Sequence, residues 1–159
     1  MSNAELTMTL LMTPDKANFS GKVHGGSMLK MLDEVAYACA SRYARRYVVT
    51  ISVDQVTFKH PIQVGDLVTF LAKVNYTGRT SMEVGIRVET ENMTAHHVTH
   101  AMTCYFTMVA VDDAGRAVPV PPLAPSTVVE RQRFAAAELR RELRREVTER
   151  HEAIKAHRD

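Results

Sequence analysis

The stretch Asn18–Ala40, NFSGKVHGGSMLKMLDEVAYACA, decides how this chain is read. It opens as a polar loop carrying Asn18, Ser20 and Gly21, then turns into a helix at His24-Gly25-Gly26. From Met28 onward, Met28, Leu32, Val35, Ala36, Cys39 and Ala40 recur at helical spacing and define one apolar arc. On a wheel of about 100° per residue, Asp33 falls at the edge of that arc beside Leu29, whereas Glu34 points to the polar side. The pattern predicts one carboxylate held against the buried face. Uncompensated burial of a carboxylate is costly, and perturbed carboxylates cluster at functional sites. Asp33 is therefore the first candidate for chemistry.

The helix is expected from about Gly25 to Tyr43, with Arg42, Arg45 and Arg46 suiting its C-terminal end. Before it, Glu5–Met12 reads as a short strand stopped at Pro14. After it the period changes from helical to alternating. Tyr47–Lys59 alternates Val49, Ile51 and Val53 with polar residues, and His60-Pro61 ends it. Leu67–Tyr76, Thr80–Thr90 and Val98–Val111 follow as three further strands, separated by Gly65-Asp66, Thr77-Gly78-Arg79 and a polar segment, and closed by Asp112–Gly115. Short turns favour antiparallel neighbours. One long helix covering one face of such a sheet predicts a two-layer α+β domain.

The expected organisation is a domain over residues 5–117, a stiff linker over 118–127 with Pro119, Pro121, Pro122 and Pro125, and a charged helix over 128–159. That helix offers i,i+3 and i,i+4 ion pairs among Glu138, Arg141, Glu142, Arg145, Glu146 and Arg150, and only a narrow stripe of Leu139, Leu143 and Val147. A helix of this kind is weak alone and needs its own domain or a neighbouring subunit to dock on.

Over 159 residues, 45% hydrophobic and 24% charged content fits an ordinary globular protein. A net charge of +2 gives no argument for nucleic acid or a membrane surface. In the C-terminal helix nine Lys/Arg are offset by seven Asp/Glu, which again speaks against a nucleic-acid partner. No apolar run approaches the ~18 residues of a spanning helix, and no secretory signal is expected at the N-terminus. Cys39 and Cys104 sit in apolar segments and read as free thiols of a reducing compartment, so the expected location is the cytoplasm. His96, His97 and His100 lack a metal-ligand spacing, and no metal site is expected. A nucleophilic serine elbow and nucleotide fingerprints are also missing.

The start of the helix has its own chemistry. First-turn N–H groups are unpaired and carry partial positive charge. Those of Gly25 and Gly26 would stabilise a developing oxyanion, and glycine permits close approach. The plainer alternative is that the glycines only make the turn. His24 is then a positioning or substrate-contacting residue.

Taken together, NFSGKVHGGSMLKMLDEVA, VVTISVDQVTF, GRTSMEV and YFTMVAVDDAGRAVPVPPL resemble the hotdog-fold acyl-CoA thioesterases, in particular the cytosolic acyl-CoA hydrolase subfamily. The likeness covers nearly everything from Leu6 to Leu123. It implies a long central helix wrapped by a curled five-stranded antiparallel sheet, dimers with a continuous sheet and shared active sites, and commonly a trimer of dimers. It places the catalytic acid at Asp33, as general base or nucleophile. It sets Asn18 against the aspartate of the opposite subunit, where it orients water or the thioester carbonyl. It brings Arg79, Thr80 and Ser81 to the CoA nucleotide and phosphates, with Lys59 and His60 as weaker candidates. The implied reaction is hydrolysis of acyl-CoA to CoA and a fatty or other carboxylic acid, with no cofactor, because CoA belongs to the substrate. Two other functions stay open: a hydratase or dehydratase on acyl thioesters, and a non-catalytic acyl-CoA sensor.

Overall fold

The computed structural model describes residues 2–158. The chain divides into two compact units, one ending at Pro122 and the other beginning at Leu123. In the first, strand β1 (Glu5–Leu11) leads through a short 3₁₀ turn (Pro14–Lys16) to helix α1 (Gly25–Ala44). Strands β2 (Val48–Val53), β3 (Leu67–Thr77), β4 (Ser81–Asn92) and β5 (His97–Ala110) follow. They form one five-stranded sheet in the order β1-β3-β4-β5-β2, with all neighbours antiparallel. This is the α+β arrangement expected.

The apolar arc of α1 is what seats it. Met28, Met31, Leu32, Val35, Ala36, Cys39, Ala40 and Ala44 are buried, and the helix touches all five strands. From the sheet, the inward set includes Val68, Phe70 and Val74 of β3, Val84, Ile86 and Val88 of β4, and Cys104, Phe106 and Met108 of β5. Strict alternation along β4 supplies this face. On β5 the alternation breaks once. The register slips between Val88 and Glu89, so that Ala101 is an extra residue and both Ala101 and Met102 are buried. Gly85 is required by a neighbour: a Cβ there would lie 2.4 Å from Nδ2 of the buried Asn75, which donates to Oε1 of the buried Glu83 at 3.2 Å.

Two expectations are corrected. The strand expected over Tyr47–Lys59 stops at Val53, with a bulge between Thr50 and Ser52. Its neighbour is β5, not β3, so β2 forms one edge of the sheet. Residues 54–66 are a crossing connection rather than a short turn. They carry the chain from that edge to β3, and Pro61 has no N–H to give to a ladder. On the way they pass the start of α1, where the N–H of Val23 donates to the carbonyl of Ile62 at 2.8 Å and Lys22 bridges Gln63. The second correction concerns Asp33, which is exposed rather than held in the buried face. The arc of α1 ends one residue row short of it, and the sheet on that side ends with the edge strand β2.

The second unit contains helix α2 (Val128–Ala156). Thr127 caps it in a complete capping box, its hydroxyl accepting from the Glu130 N–H at 3.1 Å while the Glu130 carboxylate accepts from the Thr127 N–H at 3.2 Å. Ion pairs Arg150–Glu146 and Lys155–Glu152 run along its surface. No described helix is long and apolar enough to cross a membrane.

Candidate active site

The loop ahead of α1 is built around Asn18. Its side-chain oxygen accepts from the Ser20 N–H at 2.9 Å, the Ser20 hydroxyl at 2.7 Å and the Lys22 N–H at 3.1 Å. Its backbone carbonyl accepts from Gly21, which takes a left-handed φ of +79°, as such a turn requires. The plain reading of Asn18 as a turn residue thus holds for its oxygen. Its Nδ2 has no partner among the described residues and is the only polar group of the side chain still available.

His24 is the N-cap of α1. Its Nδ1 accepts from the Gly26 N–H at 2.9 Å, which orients the ring over the first turn. The Gly26 N–H is therefore engaged, and of the expected Gly25–Gly26 pair only the Gly25 N–H has no acceptor among the described residues. The two glycines also differ in what surrounds them. A Cβ on Gly26 would press on the His24 ring at 3.1 Å, whereas on Gly25 it would meet only the Phe58 ring at an ordinary 3.7 Å. Beside Gly25 a cavity of about 250 Å³ opens, lined by Val23, Gly25, Met28, Phe58, His60, Pro61, Ile62 and Met102. Its wall is mostly apolar, with the crossing segment 58–62 supplying half of the lining residues.

Asp33 is oriented by a residue the sequence did not single out. Thr50, on β2, donates its hydroxyl to Asp33 Oδ1 at 2.6 Å. The carboxylate is exposed, and this bond orients it. A charge-assisted bond of this length is among the stronger ones. Thr50 stands in the quoted VVTISVD segment, where it reads only as the polar half of an alternating strand.

Position along α1 separates the two catalytic candidates. Asp33 follows Gly25 by eight residues, about 12 Å along the axis at 1.5 Å per residue. Arg79, Thr80 and Ser81 are further off. They sit at the β3–β4 turn, Arg79 exposed and Thr80 and Ser81 half-buried. Ser81 pairs with Val109, seven residues along β5 from Met102 in the cavity wall, or roughly 23 Å at ~3.3 Å per residue. One chain does not bring this turn to the cavity. Of the weaker candidates, His60 lines the cavity and Lys59 is exposed. Cys39 and Cys104 are buried, and burial pushes both thiols up to about 12, so neither is a nucleophile at neutral pH.

Residues 20–95 match the model of the thioesterase superfamily. A hexameric acyl-CoA thioesterase of known structure superimposes with a TM-score of 0.86 and 38% identity, over 91% of this chain and 92% of that one. The chain belongs to the thioesterase superfamily. Protein VdlD of Helicobacter pylori is 50% identical over 140 residues, which is 88% of this chain and 80% of that protein. The acyl-CoA hydrolase of Staphylococcus aureus, solved with butyryl-CoA and CoA, has a TM-score of 0.84 and 31% identity, over 98% of this chain and 97% of that one. The same hydrolase has been solved with an aspartate, an asparagine or a threonine replaced by alanine.

Proposed function

We propose that this thioesterase-superfamily protein is an acyl-CoA thioesterase that cleaves its substrate with water at a site shared between two copies of the chain. The Asp33–Thr50 pair carries the reading: an exposed carboxylate, held in one direction, on a fold whose relatives hydrolyse acyl-CoA. Spacing gives independent support. In the staphylococcal enzyme the replaced asparagine lies 15 residues before the replaced aspartate, and the threonine 17 after it. Asn18, Asp33 and Thr50 repeat both intervals.

In this mechanism the thioester carbonyl lies against the start of α1, with its oxygen on the Gly25 N–H. The chain itself does not need glycine at 25, and close approach of that oxygen supplies the reason for one. Asp33 drives the attack, as base toward water or as nucleophile toward the carbonyl carbon. In the base form, water gives its proton to Asp33 while its oxygen bonds to the carbonyl carbon. The oxyanion then collapses, the C–S bond breaks, and the CoA sulfur takes the proton. The acyl group enters the mostly apolar cavity of about 250 Å³ beside Gly25. No cofactor takes part. Free thiols fit a reducing cytoplasm.

One thioester cannot touch both Gly25 and Asp33 of one chain across about 12 Å of helix. One copy therefore supplies the helix start and Asn18, and the other supplies Asp33 and Thr50. Asn18 acts through Nδ2 as a donor, since its oxygen is committed to the loop. Arg79, Thr80 and Ser81 reach the CoA phosphates from a further copy or from the far end of the extended ligand. A homo-oligomer follows, and a trimer of dimers fits the hexameric relative.

The test is thiol release from a panel of acyl-CoAs with wild type and Asp33→Ala. Wild-type turnover, falling by roughly 10²- to 10⁴-fold in the variant with the fold intact, is expected. Acyl-CoA binding with no release on any chain length would replace the hydrolase with a binding protein. Hydration of enoyl-CoA would replace it with a hydratase.

A further inference from the structure

The lining of the cavity beside Gly25 divides by burial. Phe58, His60 and Pro61 are exposed and make its rim, whereas Met28, Ile62 and Met102 are 1%, 6% and 5% exposed and make its floor. The floor is drawn from α1, the crossing segment and β5, and it is wholly apolar. His60, the one polar side chain of the lining, stays at the rim. The bulge on β5 helps to keep the floor apolar. Cys104, Phe106 and Met108 alternate inward, and unbroken alternation would turn both Met102 and His100 inward as well. Because Ala101 is an extra residue, Met102 still pairs with the buried Val88 while His100 pairs with Glu89. His100 is exposed, and its Nε2 lies 2.8 Å from the hydroxyl of the exposed Thr103. An imidazole without a partner is costly in an apolar pocket, and the bulge spares the cavity one.

We propose that Met102 from the sheet and Met28 from the helix are the residues that set how long an unsubstituted acyl chain the site accepts. This role presupposes the acyl-CoA hydrolase activity proposed above. A thioester whose oxygen meets the Gly25 N–H starts its acyl chain beside the rim, and the chain runs on toward the floor. Each methylene that leaves water for an apolar wall strengthens binding roughly fourfold. The gain ends where the floor stands. Behind Met102 its row across the sheet continues as Val88 and Phe70, both without exposed surface, and a core packed to that density has no room for more chain. The three floor residues differ in stiffness. Ile62 is β-branched, and its carbonyl is tied to the Val23 N–H at 2.8 Å, so it is a fixed wall. Met28 and Met102 are unbranched with three rotatable bonds and can fold aside. A span of chain lengths is therefore tolerated, up to the point at which the two methionines can yield no further.

The test is kcat/KM of the full chain across straight-chain acyl-CoAs, from acetyl-CoA to palmitoyl-CoA, for wild type, Met102→Ala, Met28→Ala and Met102→Phe. Met108→Ala is the control. Met108 is equally buried and inward, but it lies six residues further along β5, or roughly 20 Å at ~3.3 Å per residue, and outside the lining. Wild-type kcat/KM is expected to rise with chain length and then fall. Both alanine variants should move the fall to longer chains, raising the ratio of the first rejected length to the preferred one by roughly tenfold or more. Met102→Phe should move it to shorter chains, and Met108→Ala should leave the ratio where it was. Should Met102→Ala fail to fold, Met102→Val shortens the same side chain with less loss of volume and carries the same expectation. Hydrolysis with an unchanged chain-length profile in the folded floor variants, or an equal shift in Met108→Ala, would overturn the role of the methionines and leave the hydrolase standing. No hydrolysis of any acyl-CoA by wild type would overturn both.

Discussion

Eight of the twenty residues of α1 are buried, but only Ala137 of the twenty-nine of α2. Both helices carry an apolar row at helical spacing, so periodicity alone does not separate them. What separates them is the surface opposite. The row of α1 meets the five-stranded sheet and closes the core, whereas the row Leu139, Leu143 and Val147 of α2 is exposed. On α1 the proposed chemistry uses Gly25, half-buried at the first turn, and Asp33, exposed and bonded to Thr50 of β2. A buried face holds a helix still, and its margins can then present groups to a substrate.

Leu32 sits in the middle of the α1 row with no exposed surface. Leu32→Ala is expected to cost about 2–5 kcal/mol of folding stability in denaturant titration, and a change within the scatter of surface substitutions would break the contrast between the helices. Thr50→Val keeps the shape of β2 and removes the donor to Asp33. Hydrogen bonds to charged groups contribute roughly 1.5–3 kcal/mol, so kcat is expected to fall about ten- to a hundredfold with KM little changed. An unchanged kcat would leave Asp33 without the orientation argued here. The smallest effect belongs to α2. Thr127→Ala removes its cap, expected to cost about 1 kcal/mol of local stability, visible as reduced protection of the first-turn amides in hydrogen exchange. Hydrolysis should persist, and loss of the whole fold would show that α2 is not the separate unit described.

Much of this was legible beforehand. The helix from Gly25, the strand over Thr80–Thr90 and the breaker at Pro14 all follow from periodicity and turn chemistry. The missed features share a cause. Local alternation continues through Tyr47–Lys59, but where a strand must leave its ladder depends on where the chain goes next, and β3 lies across the sheet from β2. The wheel put Asp33 at the edge of the arc, but how far the sheet extends on that side is not written in the helix. His24-Gly25-Gly26 read as two free donors, and only the imidazole geometry shows that the first side chain takes the N–H of the third residue. Thr50 gave no signal of its own, because its role exists only once β2 lies alongside α1.

The central claim is that Asp33 of one copy works on a thioester held by another. Co-expression of Asp33→Ala with Asn18→Ala, each inactive alone, tests it most directly. Each mixed pair would contain one intact site, so thiol release is expected to recover to about a quarter of wild type for random twofold pairing. A mixed sample as inactive as either parent would mean that both residues serve the same chain's site, and the shared arrangement would be contradicted.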